Sequence, residues 1–221
     1  MTRFAILLLS ILGVAVPVRA QEPPPKIGPF VVDLHGTVPK FPTTPALAES
    51  HALVGAELPG RGLGVQVGAH VYFLRWRAVT FGFGGEYAAS RARKTPGPTP
   101  PPPPTPDTEV VPLRPTEEKF SAVGTQLSFN FGTGHGWSYI SGGIGKSTWS
   151  LIPDGREAFP TDTSPLKTIN YGGGARWFAK QHLAFSFDVR FYAINPGPAF
   201  GLIRGSPRTT MLVIGAGVSV K

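Results

Sequence analysis

The sequence predicts an all-β fold, an eight-stranded antiparallel up-and-down transmembrane β-barrel, and three observations predict it. First, segments about ten residues long alternate large apolar residues with Gly or polar ones. Leu63, Val65, Val67, Ala69, Val71 and Phe73 are interleaved with Gly64, Gln66, Gly68, His70 and Tyr72. Successive side chains of a strand point to opposite faces, so one face is greasy and the other polar or empty. Second, the links between these segments alternate short, long, short, long. Third, the chain holds 28 Gly and 25 Pro, with Gly inside the strand segments and Pro clustered between them. A barrel that turns its apolar side to lipid carries this signature.

The first twenty residues stand apart. Arg3 gives a positive start, an apolar run follows over 4–18, and Val18-Arg19-Ala20 is a small-x-small cleavage site. This is a secretory signal peptide over 1–20; the run is shorter than the roughly twenty residues a membrane-spanning helix needs. A Pro-rich arm, 21–27, is expected to be disordered. The barrel domain then covers 28–221, about 200 residues with the arm.

The first strand is expected over 28–38, with Phe30, Val32 and Leu34 on one face and Asp33, His35 and Thr37 on the other. A long link, 39–61, contains a helical turn within 46–54. Strand two covers 62–74, and Arg75-Trp76-Arg77 turns into strand three, 78–92. The link 93–118 contains five consecutive prolines, 100–104; proline cannot donate to a sheet ladder, so this is a polyproline-like excursion. Strands four and five, 119–131 and 137–151, flank a Gly-rich turn. The fifth is the least regular, and a bulge near Gly142-Gly143 would blur its parity. After the link 152–165 come strand six (166–178), a turn, and strand seven (182–194), the clearest alternation in the chain. The link 195–207 leads to strand eight, 208–220.

With both termini on one side, every short turn falls on that side and every long link on the other, the asymmetry of bacterial outer-membrane barrels. Trp76, Trp137 and Trp177 lie in or beside the short turns, where an aromatic girdle marks the periplasmic interface.

On these features the chain resembles the OmpA/OmpX-type eight-stranded outer-membrane barrels, over roughly 28–221. The last strand, Gly215-Ala216-Gly217-Val218-Ser219-Val220, is similar to the Gly-x-x-apolar-x-apolar signal by which such barrels are recognised for assembly, with Gly215, Val218 and Val220 as its elements; it ends on Lys221 instead of an aromatic residue. The resemblance implies an outer-membrane location, the lipid bilayer, barrel-assembly machinery and periplasmic chaperones as partners, and a monomer. The expectation is a barrel alone, without the peptidoglycan-binding domain that the larger family often carries.

An eight-stranded barrel is wide enough only for side chains to fill it. The polar face delivers Asp33, Glu86, Arg176, Asp188 and Arg190 to the lumen, with His35, Gln66, His70, Gln126, Asn130 and Asn170. Lys146 joins them if even residues of strand five face inward. Buried charges are costly unless paired. Glu86, Arg190 and Lys146 stand nine or ten residues above their short turns, near one level. We expect a salt-bridge layer in which Glu86 meets Arg190, Lys146 or both, and Asp33 and Asp188 balance Arg176. Such a layer is a static plug or, alternatively, the gate of a narrow pore.

The formal charge of +8 is scattered over turns, loops and strands, without the basic stripe interleaved with aromatics that nucleic-acid binding needs. There is no Cys, hence no disulfide framework and no thiol nucleophile. Gly142-Gly143-Ile144-Gly145-Lys146-Ser147 lacks the first Gly of a phosphate-binding loop, since position 140 is Ile. The five His show no metal-ligand spacing, and no cofactor is implied. The candidate catalytic cluster is Ser50-His51 with Glu49 or Glu57, adjacent residues in one loop, whereas geometry defines a working triad. The leading reading is a non-enzymatic structural or loop-displaying barrel with weak pore activity at most. A lipid-modifying membrane enzyme and a soluble lipocalin-like carrier are the alternatives.

Overall fold

The structure, a computed structural model, describes residues 25–97, 113–199, 201 and 204–221. The expected signal peptide, most of the arm and the five-proline run lie outside the described residues. Eight strands follow in order: β1 Phe30–Lys40, β2 Leu63–Trp76, β3 Val79–Lys94, β4 Thr116–Thr133, β5 Gly136–Pro153, β6 Leu166–Phe178, β7 Leu183–Ile194 and β8 Thr209–Val220. Each pairs antiparallel with the next, and β8 pairs back onto β1 from Val32↔Val220 to Lys40↔Leu212, closing the barrel. Closure leaves no unpaired edge.

Several strands outrun the hydrophobic pattern at the loop end. β3 continues to Lys94, paired with Thr116 of β4. Here the outward residues are Arg91, Arg93, Glu117 and Lys119, so alternation of apolar and polar stops reporting a strand that the backbone continues.

β5 corrects two expectations. Its register with β4 runs unbroken from Thr116↔Pro153 to Thr133↔Gly136, with no bulge at Gly142-Gly143. The register shift lies instead in β2, between Tyr72 and Leu74, where Phe73 has no partner. In β5 the odd residues face inward: Trp137, Tyr139, Ser141, Ser147, Trp149 and Leu151 are buried, and Lys146 is exposed on the outer wall. Parity misleads here because this strand carries its large aromatics inside, where they fill the lumen and meet polar partners.

The interior has two storeys. The short-turn half is polar and charged. The half nearer the long loops is an apolar cluster that includes Phe120, Trp149, Leu151, Tyr192, Ile194 and Met211. The first long loop, 41–62, folds into this mouth. It forms the short helix α1, Pro45–Ser50, and a 3-10 turn, Gly55–Glu57, and buries Phe41, Leu47, Ala48, Leu53 and Leu58.

Candidate functional site

The charged layer is assembled from strands on opposite sides of the barrel. Arg190 of β7 reaches across to β3, with Nε 3.1 Å from Glu86 Oε2. On its own strand it also binds Asp188, through Nη2 at 2.9 Å, and it donates to Ser141 Oγ of β5 at 3.1 Å. Arg176 of β6 grips Asp33 of β1 in a bidentate fork, Nε to Oδ1 at 2.8 Å and Nη2 to Oδ2 at 2.6 Å. Planar guanidinium matches planar carboxylate here, so geometry as well as charge fixes the pair.

Neutral donors supplement the two cations around three carboxylates. Ser219 donates to Asp33 at 2.5 Å, Tyr139 to Asp188 at 2.7 Å, and Gln66 to Glu86 at 2.8 Å. The Arg176 guanidinium also lies over the Tyr139 ring, 4.0 Å from its centroid. His35 shares a hydrogen bond with Ser186 at 2.7 Å, and Gln126 links His70 to Asn170. Two inward glycines make the space: a Cβ at Gly84 would stand 2.7 Å from the His70 ring, and one at Gly174 would stand 2.8 Å from the Tyr139 hydroxyl. The free space left among these side chains is about 10 Å³.

Sequence and structure differ on four residues. Lys146 takes no part in the layer, because β5 turns its even residues outward. Asp188 binds Arg190 and not Arg176, because the two share one face of β7 two residues apart. Tyr139 and Ser141 were missed through the same parity reversal.

The tryptophans divide. Trp76 and Trp177 project outward from the short-turn end, 63% and 59% exposed. Trp137, expected beside them, is 3% exposed: it plugs the lumen floor, stacked on Phe178 at 5.0 Å and edge-on to Tyr72 at 5.9 Å. Trp149 likewise points inward and donates to Glu118 Oε1 at 2.7 Å, a pairing of the upper storey absent from the sequence expectation. In the terminal strand Val218 and Val220 face outward and Gly215 faces His35 and Thr37. Lys221 folds back over the floor, its ammonium 3.8 Å from the Phe178 ring centroid and bonded to Gly134 O; burial there lowers its pKa below the ordinary lysine range.

In the loop mouth Ser50 Oγ lies 2.9 Å from His51 Nδ1, and His51 Nε2 lies 3.1 Å from Asp162 Oδ2. The acid is therefore Asp162, from the third long loop, and not Glu49 or Glu57. Glu57 accepts from Val54 N at 2.9 Å and Arg114 N at 2.8 Å. Ser50 commits its hydroxyl hydrogen to Leu47 O at 2.8 Å, and all three residues are buried. The cluster clasps the first loop to the third. Among the described residues no group of three or more His, Asp or Glu could hold a metal ion.

A closed ring of eight antiparallel strands, polar within and apolar without, has the fold of the OmpA/OmpX-type outer-membrane β-barrels. Among solved structures the chain is similar to Neisserial surface protein A, with a TM-score of 0.56 and 14% identity over 88% of this chain and 97% of that one. It is also similar to Ail, the attachment invasion locus protein of Yersinia pestis, with a TM-score of 0.46 and 13% identity over 86% and 96%. No family model and no curated protein matches the chain.

Proposed function

We propose that this chain is a non-enzymatic integral outer-membrane protein, a monomeric sealed barrel that holds four long loops at the cell surface. One observation carries the reading: ordinary burial is inverted. Ile144 is 70% and Phe185 67% exposed, while Arg176 and Arg190 are 1% and 2% exposed. An apolar wall around a hydrogen-bonded charged interior suits a hydrocarbon surrounding and not water. Delivery by the signal peptide, handling by periplasmic chaperones and recognition of Gly215, Val218 and Val220 by the assembly machinery belong to the same proposal.

The interior supports display over conduction. Free space of about 10 Å³ is roughly one water at most, and the apolar storey lies above it. A soluble carrier would need a greasy cavity, whereas this interior is bonded and filled. A hydrolase at Ser50 would need an accessible hydroxyl, whereas this one is buried and donates to its own helix. The test is twofold. The chain refolded into phosphatidylcholine vesicles should migrate differently before and after boiling, and in planar bilayers it should be silent. A chain soluble without detergent overturns the membrane reading, and a steady conductance overturns the sealed lumen.

A further inference from the structure

The outer wall carries its charges unevenly. Along the loop-side margin of the apolar belt stand Arg91, Arg93, Lys119, Lys146 and Lys167, all outward and exposed. Three have acids: Arg91 and Lys119 both meet Glu117, and Arg93 meets Asp154 at 3.2 Å. Among the described residues Lys146 and Lys167 meet none. They are also register partners across β5 and β6, so two ammoniums stand side by side on one face of the sheet. Like charges directly opposite one another destabilise a sheet, and an anion between them removes that cost.

The wall opens beneath them. A groove of about 610 Å³ is lined by Thr125, Ile144, Ile169 and Asn195 along with the two lysines. Ile144 and Ile169 are 70% and 49% exposed, so the groove has a greasy floor and a cationic upper lip. On the other side of β4 a similar groove of about 600 Å³, between Leu63, Val65, Arg91 and Lys119, has two cations that already share the carboxylate of Glu117.

We propose that the β4–β6 groove binds an acylated, phosphorylated lipid of the outer leaflet, one acyl chain lying against Ile144 and Ile169 and a phosphate monoester held between Lys146 and Lys167. The inference rests on the membrane-embedded reading above. Two unpaired ammoniums select a dianionic headgroup, and they reject a zwitterionic one whose own ammonium would be placed beside them. Attraction to an anionic lipid surface is worth about fivefold in affinity per lysine, so about thirtyfold for the pair.

The experiment uses the full chain refolded into phosphatidylcholine nanodiscs and titrated with bisphosphorylated lipid A, dephosphorylated lipid A and inorganic phosphate, with bound ligand counted by native mass spectrometry. Lipid A should be retained at least tenfold more tightly than its dephosphorylated form. K146Q/K167Q should abolish that preference and R91Q/K119Q should keep it. T125W, which fills the groove, should weaken lipid A while both lysines remain. Equal retention of the two lipid forms, or an unchanged preference in K146Q/K167Q, overturns the inference. Inorganic phosphate bound as tightly as lipid A overturns it in favour of a free-anion site. A chain that enters the bilayer without phosphate preference defeats the groove alone, whereas one that never enters defeats the membrane reading and the groove with it.

Discussion

The two storeys of the lumen are built on opposite rules. In the lower one, β1, β3, β6 and β7 each contribute one or two charges, and Asp33, Glu86 and Arg176 each find their counter-charge on another strand. In the upper one, a surface loop lends Leu47, Leu53 and Leu58 to an apolar cluster that would look ordinary in a water-soluble domain. The charged storey gains geometric uniqueness and is brittle. The apolar storey is held by packing of a loop against the strands, and we expect that loop to open without opening the barrel.

Removing one charge below should have the largest effect. Asp33→Ala leaves Arg176 buried and unpaired, which costs about 3–5 kcal/mol. Urea unfolding in phosphatidylcholine vesicles, followed by tryptophan fluorescence, should show a global loss of that size, partly recovered by adding Arg176→Met. If Asp33→Ala is neutral, water reaches the lower storey and the contrast fails. Truncation above should act more locally. Leu47→Ala should lower the free energy of opening the loop by about 2–3 kcal/mol, within the usual range for a buried Leu. It should speed hydrogen exchange at the Ala48 and Leu53 amides, which bond to Thr44 O and Ala48 O, and leave the barrel's gel migration unchanged. A global loss would mean that the two storeys are one cooperative unit.

The smallest effect belongs to the second long loop. Deleting 98–112 should change stability by less than about 0.5 kcal/mol, since closure entropy varies slowly with loop length. Extending the deletion through Arg114 removes the amide that Glu57 accepts and should loosen the first loop. Exchange rates at Leu53 for the two deletions distinguish these outcomes.

The fold was legible because lipid demands an uninterrupted pattern. Phe185, Phe187 and Val189 must all be apolar, and a period of two survives any detail of packing. The lumen was legible only where its face was plainly polar, as at Asp33, Glu86 and Arg190. β5 failed because Trp137, Tyr139 and Trp149 are hydrophobic by composition but serve inside as stackers and donors. Alternation reports polarity and says nothing of a side chain's partner. The cap failed for a different reason: Ser50-His51 acquires its acid from Asp162, 111 residues away in another loop, and no local spacing encodes that approach.

Asp33 has one further consequence. Its partners are Arg176 and Ser219, 143 and 186 positions downstream, and the backbone groups of β1 find their second set of partners only in β8. The first strand therefore stays an open edge until β8 docks on it, and its carboxylate lacks one of its donors until Ser219 is in place. A chain stopped short of Ser219 is not a smaller barrel. It lacks the stave that pairs with β1 and the hydroxyl that donates to Asp33, so the cylinder cannot close.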